Sequence, residues 1–259
     1  MKVIVAGPRR FNNYYLLSLM LRFYLPRGAV IVSGRAKGVD TMGECYAYWN
    51  NHRTIFFPAD WVKYDKAAGH IRNREMALAA DALIVWLPEA NDSVGSANML
   101  MQMRKLGKPR FIVTYPDTAN FDLNTPLVVH CKRNPFDVYI GRNPARSPIN
   151  PFGNPVPMES ESMREFAVYG YCNHLLLHHK LQTLVCNKLA GKIQGCWCAP
   201  RLCHGHANVW WIEHHQDVHL KYLRIEREDG SYHKPTESPD LHECFSLATT
   251  IDLSTAPTA

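Results

Sequence analysis

The sequence predicts an α/β protein: a parallel sheet with helices on both faces, followed by a smaller α+β unit. Three observations carry this. Short apolar runs alternate with helix-period segments from the first residues to about Thr114, the pattern of strands joined by crossover helices. Glycine-bearing loops close two of those runs at the start of a helix. A polar stretch at 115–126, with Pro116, Asp117, Asn120, Asn124 and Pro126, then reads as a linker to a second unit.

In order along the chain, Val3–Ala6 forms a short apolar strand ended by Gly7, and 14–25 is a Leu- and Tyr-rich helix stopped by Pro26. Ala29–Val32 is a second strand, 39–50 a helix, and Thr54–Phe57 a third strand ended by Pro58. Residues 70–80 are helical, Ala82–Leu87 reads as a continuously buried strand, 95–106 is again helical, and Pro109–Thr114 is the last strand. A continuously apolar strand is what a parallel sheet covered on both faces requires. The second unit, expected over 127–228, starts with a short strand near Asp137–Ile140. It passes through a Pro-, Asn- and Gly-rich loop at 143–157 and enters one long helix over most of 160–190, capped by Gly191. Residues 207–227 mix helical and strand signals. From about 229 the chain is rich in Ser, Thr, Pro and Asp, the composition of a poorly ordered tail.

The chain of 259 residues is long enough for two modest domains. No apolar run approaches the roughly 18 residues needed to cross a bilayer, and the opening Met-Lys-Val-Ile-Val-Ala-Gly is too short for a signal peptide. A cytoplasmic setting follows as the expectation, the host cytoplasm if the chain is phage-encoded, with its eight cysteines kept reduced. The net charge of +6 is uneven: residues 1–118 carry 16 Lys and Arg against 9 Asp and Glu, and the remainder 13 against 14. A basic first half suits an anionic small ligand; the excess is too mild to argue for duplex nucleic acid.

In an open parallel sheet, ligands bind beyond the carboxyl ends of the strands. The loop Ser33-Gly34-Arg35-Ala36-Lys37-Gly38-Val39-Asp40 lies between a strand and a helix, and Asp92-Ser93-Val94-Gly95-Ser96-Ala97-Asn98 repeats the arrangement. Glycine lets backbone amides approach a phosphate, and the following helix N-terminus favours its charge. Between them, Gly69-His70-Ile71-Arg72-Asn73-Arg74-Glu75-Met76 supplies Arg72 and Arg74, the latter also readable with Glu75 as a solvated helix face. Gly7, Arg9, Ser33, Gly34, Arg35, Lys37, Gly38, Arg72, Asn73, Ser93, Gly95 and Ser96 are the candidate ligand-binding residues of this half.

Gly7-Pro8-Arg9, the two glycine loops, Pro58-Ala59-Asp60-Trp61, the Arg72 segment and Gly95-Ser96-Ala97-Asn98-Met99 together resemble the YspA-like branch of the SLOG superfamily over residues 1 to about 115. The resemblance implies a Rossmann-like fold that binds nucleotides or nucleotide-derived molecules, and homo-oligomers. The superfamily includes phosphoribohydrolases that pair an arginine in Arg-Lys-x-x-Met with a glutamate in Gly-Gly-x-Gly-Thr-x-x-Glu. Arg72 and Met76 fit the first motif, whereas Met99 stands at the glutamate position and cannot transfer a proton. Asp40 or Glu44, four apart on one helix face, could supply a carboxylate with Arg72 in a catalytic set. Equally, Asp40 could cap the helix and Glu44 pair with a base.

Cys196, Cys198, Cys203, His204 and His206 lie within eleven residues. Thiolate and imidazole are zinc ligands, and Cys196, Cys198, Cys203 and His204 could make a tetrahedral site. A thiol activated by His204 and a purely packed turn are the competing readings. Paired histidines elsewhere (His178 and His179, His214 and His215) read as solvated. Asp137-Val138-Tyr139-Ile140-Gly141-Arg142, Asn150-Pro151-Phe152 and the segment from Leu189 through the cysteines to Gly205 resemble an uncharacterised domain frequent in phages and bacteria, domain of unknown function 4326, over roughly 127–212. Ser147-Pro148-Ile149 departs from its Ser-Lys-Trp-Gly pattern. Tyr139, Arg142 and Asn150 are the ligand candidates the resemblance adds, Arg142 for a phosphate and Asn150 for a base or ribose.

Three functions follow as expectations: an enzyme that cleaves or transfers at the N-glycosidic bond of a nucleotide, a non-catalytic sensor or sequestering protein for a nucleotide-derived signal, and a phage-type accessory to nucleic-acid modification. The expected partner is a nucleotide-like small molecule, with no membrane; the expected cofactor, if any, is zinc.

Overall fold

The computed structural model describes residues 1–89, 93–142, 150–215, 223–226 and 232–233. Five parallel strands form the heart of the first half: β1 (Lys2–Ala6), β2 (Val30–Ser33), β3 (Arg53–Phe56), β4 (Ala82–Pro88) and β5 (Arg110–Tyr115). Their order is β5-β4-β1-β2-β3, with β1 in register against Val30–Val32 on one side and Ala82–Val85 on the other. The chain order reverses between β1 and β4, so the loops leaving these two strands part and open a crevice at the carboxyl edge. The fold is therefore the mixed α/β, Rossmann-like arrangement expected, with a smaller second unit. All seven residues of β4 are buried, as its unbroken apolar run requires.

Helices cover both faces. Helix α4 (Ala68–Ala79) and α5 (Val94–Lys105) close one face through Met76, Ala77, Met99, Leu100 and Met103. Between β3 and α4 stands α3 (Trp61–Tyr64), a single capped turn that hydrophobic periodicity did not reveal. On the other face lie α1 (Tyr14–Tyr24) and α2 (Val39–Trp49). Eight of the eleven α1 residues are buried, too many for a helix with one face to solvent.

The second unit supplies the cover. It comprises a three-stranded sheet of β6 (Val128–His130), β7 (Val138–Tyr139) and β8 (Gln194–Cys196), with β8 central, and the helices α6 (Arg164–Leu177), α7 (His179–Leu189) and α8 (His204–His214). Tyr14 stacks on Tyr169 of α6 with ring centroids 5.4 Å apart, and Tyr15 stacks on Trp210 of α8 at 5.7 Å. One hydrophobic cluster runs from Val3 and Trp86 of the sheet through α1 to Trp210 and Trp211.

Three details differ from the sequence reading. The single helix expected over 160–190 is two, broken at His178, whose extended backbone ends α6 and starts α7. No Gly or Pro marks the break; Gln182 stabilises it by donating to the Leu175 and Leu176 carbonyls at 2.9 and 3.1 Å. The polar stretch after Pro116 is anchored: Asn12 donates to the Phe121 carbonyl (3.2 Å) and accepts from its amide (2.7 Å), while Asn13 donates to the Ala119 carbonyl. Beyond α8, β9 (Leu223–Glu226) pairs antiparallel with β5 and β10 (Tyr232–His233) with β9, extending the first sheet to seven strands. Apart from β10, the tail from 229 falls outside the described residues. Among the described residues, no helix is long and apolar enough to cross a membrane.

Trp210 is 3% exposed and belongs to the cluster that also contains α1 and the sheet. Trp210→Ala is expected to cost about 3–5 kcal/mol and to lower the urea midpoint of the whole chain in one transition. Two transitions, with only the second unit weakened, would contradict the shared core.

Candidate functional site

At the carboxyl edge of the sheet the strand-to-helix loops surround a cavity of about 500 Å³. Its walls come from the loop after β1 (Gly7, Arg9, Arg10), the loop before α2 (Ala36, Asp40), the α3–α4 segment (Trp61, Lys66, His70, Arg72) and the N-terminus of α5 (Ser93–Ser96). Among the described residues, five cation-capable side chains line it against one carboxylate, Asp40. The α5 end carries the positive pole of a twelve-residue helix. Ser93 makes no side-chain cap there; its hydroxyl meets that of Ser96 at 2.8 Å.

Asp40 and Arg72 organise the floor. Asp40 Oδ2 accepts from the Gly34 amide at 3.1 Å and the Ala36 amide at 3.4 Å, holding the loop after β2 onto the first turn of α2. Arg72 donates to the Gly34 carbonyl and sits 3.7 Å from the same carboxylate oxygen. A Cβ on Gly34 would overlap the Arg72 guanidinium, so a side chain here would displace it from this carbonyl. Gly38, at φ 77°, lets the start of α2 pass the Pro8 and Arg9 carbonyls, where a Cβ would collide. Burial pushes the Asp40 carboxyl up to about 6; Arg72 and the two amides pull the other way but do not offset the lost solvation. The same desolvation lowers Arg72, so the pair is a mutual accommodation in a poorly solvated spot. Arg72 Nε is buried without a hydrogen-bond partner.

Of the residues singled out in the sequence, Gly7, Arg9, Asp40, Arg72, Asn73, Ser93, Gly95 and Ser96 line this cavity. Ser33, Gly34, Gly38 and Glu44 stand behind it: Ser33 Oγ donates to Glu44 Oε1 at 2.6 Å and accepts from the Arg35 amide at 3.1 Å. Asn73 spends its amide on the Gly95 carbonyl (3.2 Å) and Asn98 Oδ1 (3.0 Å), tying α4 to the start of α5. Arg35, left-handed at φ 58°, lies over the Phe56 ring at 4.8 Å, and Lys37 is exposed outside the lining. The cations that replace them, Arg10 from the loop after β1 and Lys66 and His70 from the α3–α4 segment, are distinguished from ordinary surface charges only by their convergence in space. Met99 is 2% exposed and lines the cavity where a carboxylate would be needed for the phosphoribohydrolase motif.

The second unit holds a separate cluster. Cys196 ends β8, Cys203 caps α8 and His204 begins it, which brings one donor atom from each within 4.8 Å of the others. His204 Nε2 is 2.9 Å from the Ile140 carbonyl, which can only accept, so Nε2 carries the proton. Nδ1, 3.7 Å from Cys203 Sγ, is left with its lone pair. That is the arrangement of a metal-ligating histidine held by a backbone carbonyl. Cys203 Sγ also accepts from the Gly205 amide at 3.4 Å. Cys198, the fourth expected ligand, is half-buried and lies outside this converging set; proximity to Cys196, Cys203 and Arg164 pulls its thiol below the usual range, while Cys203, beside Cys196 and Cys198, is raised and Cys196 is pushed up to about 12. His206 faces elsewhere: its Nδ1 accepts from the Cys203 amide at 3.1 Å as half of a capping box, and burial lowers its pKa to about 4.

A cavity of about 460 Å³ adjoins the cluster, lined by Cys196, Cys198, His204, Arg142, Arg164 and Asn154 together with mostly apolar side chains. Arg164 is engaged by Glu161 at 2.6 Å and the Leu202 carbonyl at 3.1 Å. Tyr139 and Asn150 do not line the cavity. Tyr139 accepts from Trp197 Nε1 at 3.0 Å and donates to the Arg142 carbonyl, and Asn150 fastens the Tyr139 and Gly141 carbonyls at 2.8 and 2.9 Å. Ser147, Pro148, Ile149 and Asp92 lie outside the described residues.

A parallel sheet with its crevice at the β1/β4 switch point defines the first half as a Rossmann-like domain. Two segments match family models: residues 1–64 match the YspA, cpYpsA-related SLOG family, and residues 129–213 match DUF4326, a domain of unknown function, the combination of similarities expected from the sequence. Arg72 and the α5 loop lie beyond the matched 1–64 segment. No curated protein and no solved structure matches the chain.

The raised Asp40 pKa carries a stability consequence. Its acid form is favoured by the fold, so this group stabilises fully below its ordinary value of 3.8, and that contribution is lost as pH rises through about 6. The loss is up to about 2–3 kcal/mol by linkage. Urea denaturation from about pH 4 to pH 7 should show the parent losing stability relative to Asp40→Asn by that order. A pH-independent difference would mean that Asp40 is well solvated.

Proposed function

We propose that the sheet-edge cavity binds a nucleoside phosphate and cleaves its N-glycosidic bond with Asp40 as the reacting carboxylate. The observation that carries this is the charge arrangement: five cation-capable groups and a helix N-terminus surround one buried carboxyl. The phosphate is met by the α5 end and the guanidinium of Arg72 at the cavity wall. Above about pH 6, Asp40 is a carboxylate in a poorly solvated site. There it stabilises positive charge developing at C1′ and accepts a proton from the attacking water. Water oxygen bonds to C1′, the C1′–N bond breaks, and the departing base takes up a proton.

Met99 favours a second reading, in which the pocket captures a nucleotide-derived signal without turnover, because no glutamate occupies that wall. Release of free base from nucleoside 5′-monophosphates, followed by chromatography, separates the two. The enzyme reading expects Asp40→Asn to lose at least about 100-fold in turnover with binding retained, and Arg72→Ala to weaken binding. Tight binding by the parent with no base released leaves the capture reading.

For the second unit, the donor set fits zinc: Cys196, Cys203 and His204 converge, and Cys198, two residues from Cys196, lines the adjoining cavity as a candidate fourth ligand. Zinc would supply charge to hold the thiolates together and fix β8 to α8. Elemental analysis of the purified chain is expected to find one zinc, lost in Cys203→Ser along with a large fall in Tm. A metal-free parent with unchanged stability in chelator would leave the cluster as a packed turn.

A further inference from the structure

We propose that Trp61 is a stacking platform for a nucleobase, which makes the ligand of the sheet-edge cavity a base-bearing nucleotide and not a sugar phosphate. This rests on the phosphate-binding reading of that cavity.

The chain has six tryptophans. Trp49 stacks on Phe166, Trp86 meets Phe11, Trp210 and Trp211 meet Tyr15, and Trp197 meets His130 and the Lys132 ammonium. Trp61 alone has no ring or cation partner among the described residues. It is 52% exposed, yet it lines the cavity. Packing does not explain its position, because α3 buries none of its four residues. The turn is nevertheless well fastened: Asp60 Oδ1 accepts from the Lys63 amide at 2.9 Å, and Asp65, left-handed at φ 44°, reverses the chain into α4. The first turn of α4 runs close to the indole edge at Gly69. A fastened one-turn helix thus holds an unshared indole at the wall of a cationic cavity, at a cost in exposed apolar surface.

The cavity therefore offers two chemistries. Arg72 and the α5 N-terminus suit a phosphate, whereas Trp61 suits a flat π system with Lys66 and His70 beside it to meet polar ring edges. A nucleotide carries both groups. Ribose 5-phosphate carries only one.

The test titrates AMP, GMP, CMP, UMP and ribose 5-phosphate by calorimetry into the full chain and its Trp61→Ala and Trp61→Phe variants, each checked by circular dichroism and Tm. Nucleotide affinity is expected to fall roughly 5- to 150-fold in Trp61→Ala and to be largely restored by Trp61→Phe, with ribose 5-phosphate unaffected. Nucleotide should quench tryptophan emission in the parent and not in Trp61→Phe. Unchanged nucleotide affinity in Trp61→Ala, or an equal loss for ribose 5-phosphate, overturns the platform and leaves the phosphate site standing. If the parent binds none of these probes, both readings fall.

Discussion

The structure depends on α1 being buried on both sides. A helix on an outer face of a parallel sheet normally keeps a polar stripe for solvent; α1 presents Tyr14, Tyr15, Leu16, Leu17, Met20, Leu21 and Tyr24 to the interior. Such a surface is insoluble until α6 and α8 cover it, so the second unit is part of the core that makes the first half stable. The anchoring of Asn12 and Asn13 to residues 119–121 adds polar bonds at the same seam. The loop after β1, which carries Arg9 and Arg10 into the cavity, is thus braced from behind by the chain segment that leads to the second unit.

Within that frame, the cavity is set by desolvation. Asp40 and Arg72 are close enough to attract, yet the carboxyl rises and the guanidinium falls, which shows burial outweighing their Coulomb attraction. The pair persists because both side chains also hold the backbone in place. Asp40 binds the Gly34 and Ala36 amides, and Arg72 binds the Gly34 carbonyl. Such a site is polarised before any ligand arrives, the condition under which fixed charges act strongly on a reacting group.

The strands of the first half were legible because parallel strands buried on both faces leave unbroken apolar runs, as at Ala82–Leu87. Asp40 and the α5 loop were legible from the strand-to-helix glycine loops, and Arg72 as a cation in the segment between them. Arg35 and Lys37 read as phosphate ligands by composition, but which way a loop side chain turns is decided by its backbone, and the left-handed Arg35 is drawn onto Phe56. Lys66 and His70 were invisible for the opposite reason, since their convergence with Arg9 is made by tertiary packing alone. The break at His178 and the pairing of β9 with β5 were equally hidden: one is stabilised by a glutamine side chain, the other by an edge far away in sequence.

The second unit shows why the thiol cluster sits where it does. Its sheet contains strands of three, two and three residues, too short to hold register by backbone pairing alone. Cys196 and Cys203 join the end of the central strand to the cap of α8, and His204 joins that cap to the Ile140 carbonyl just beyond β7. The cluster therefore connects the pieces that the sheet is too small to fix, and α8 is also the helix whose tryptophans cover Tyr15 of α1. The same helix is held by its own packing, eight of its eleven residues being buried, with Trp210 and Trp211 covering α1. The cysteines and the sheet-edge cavity are thus linked through the core without sharing a site.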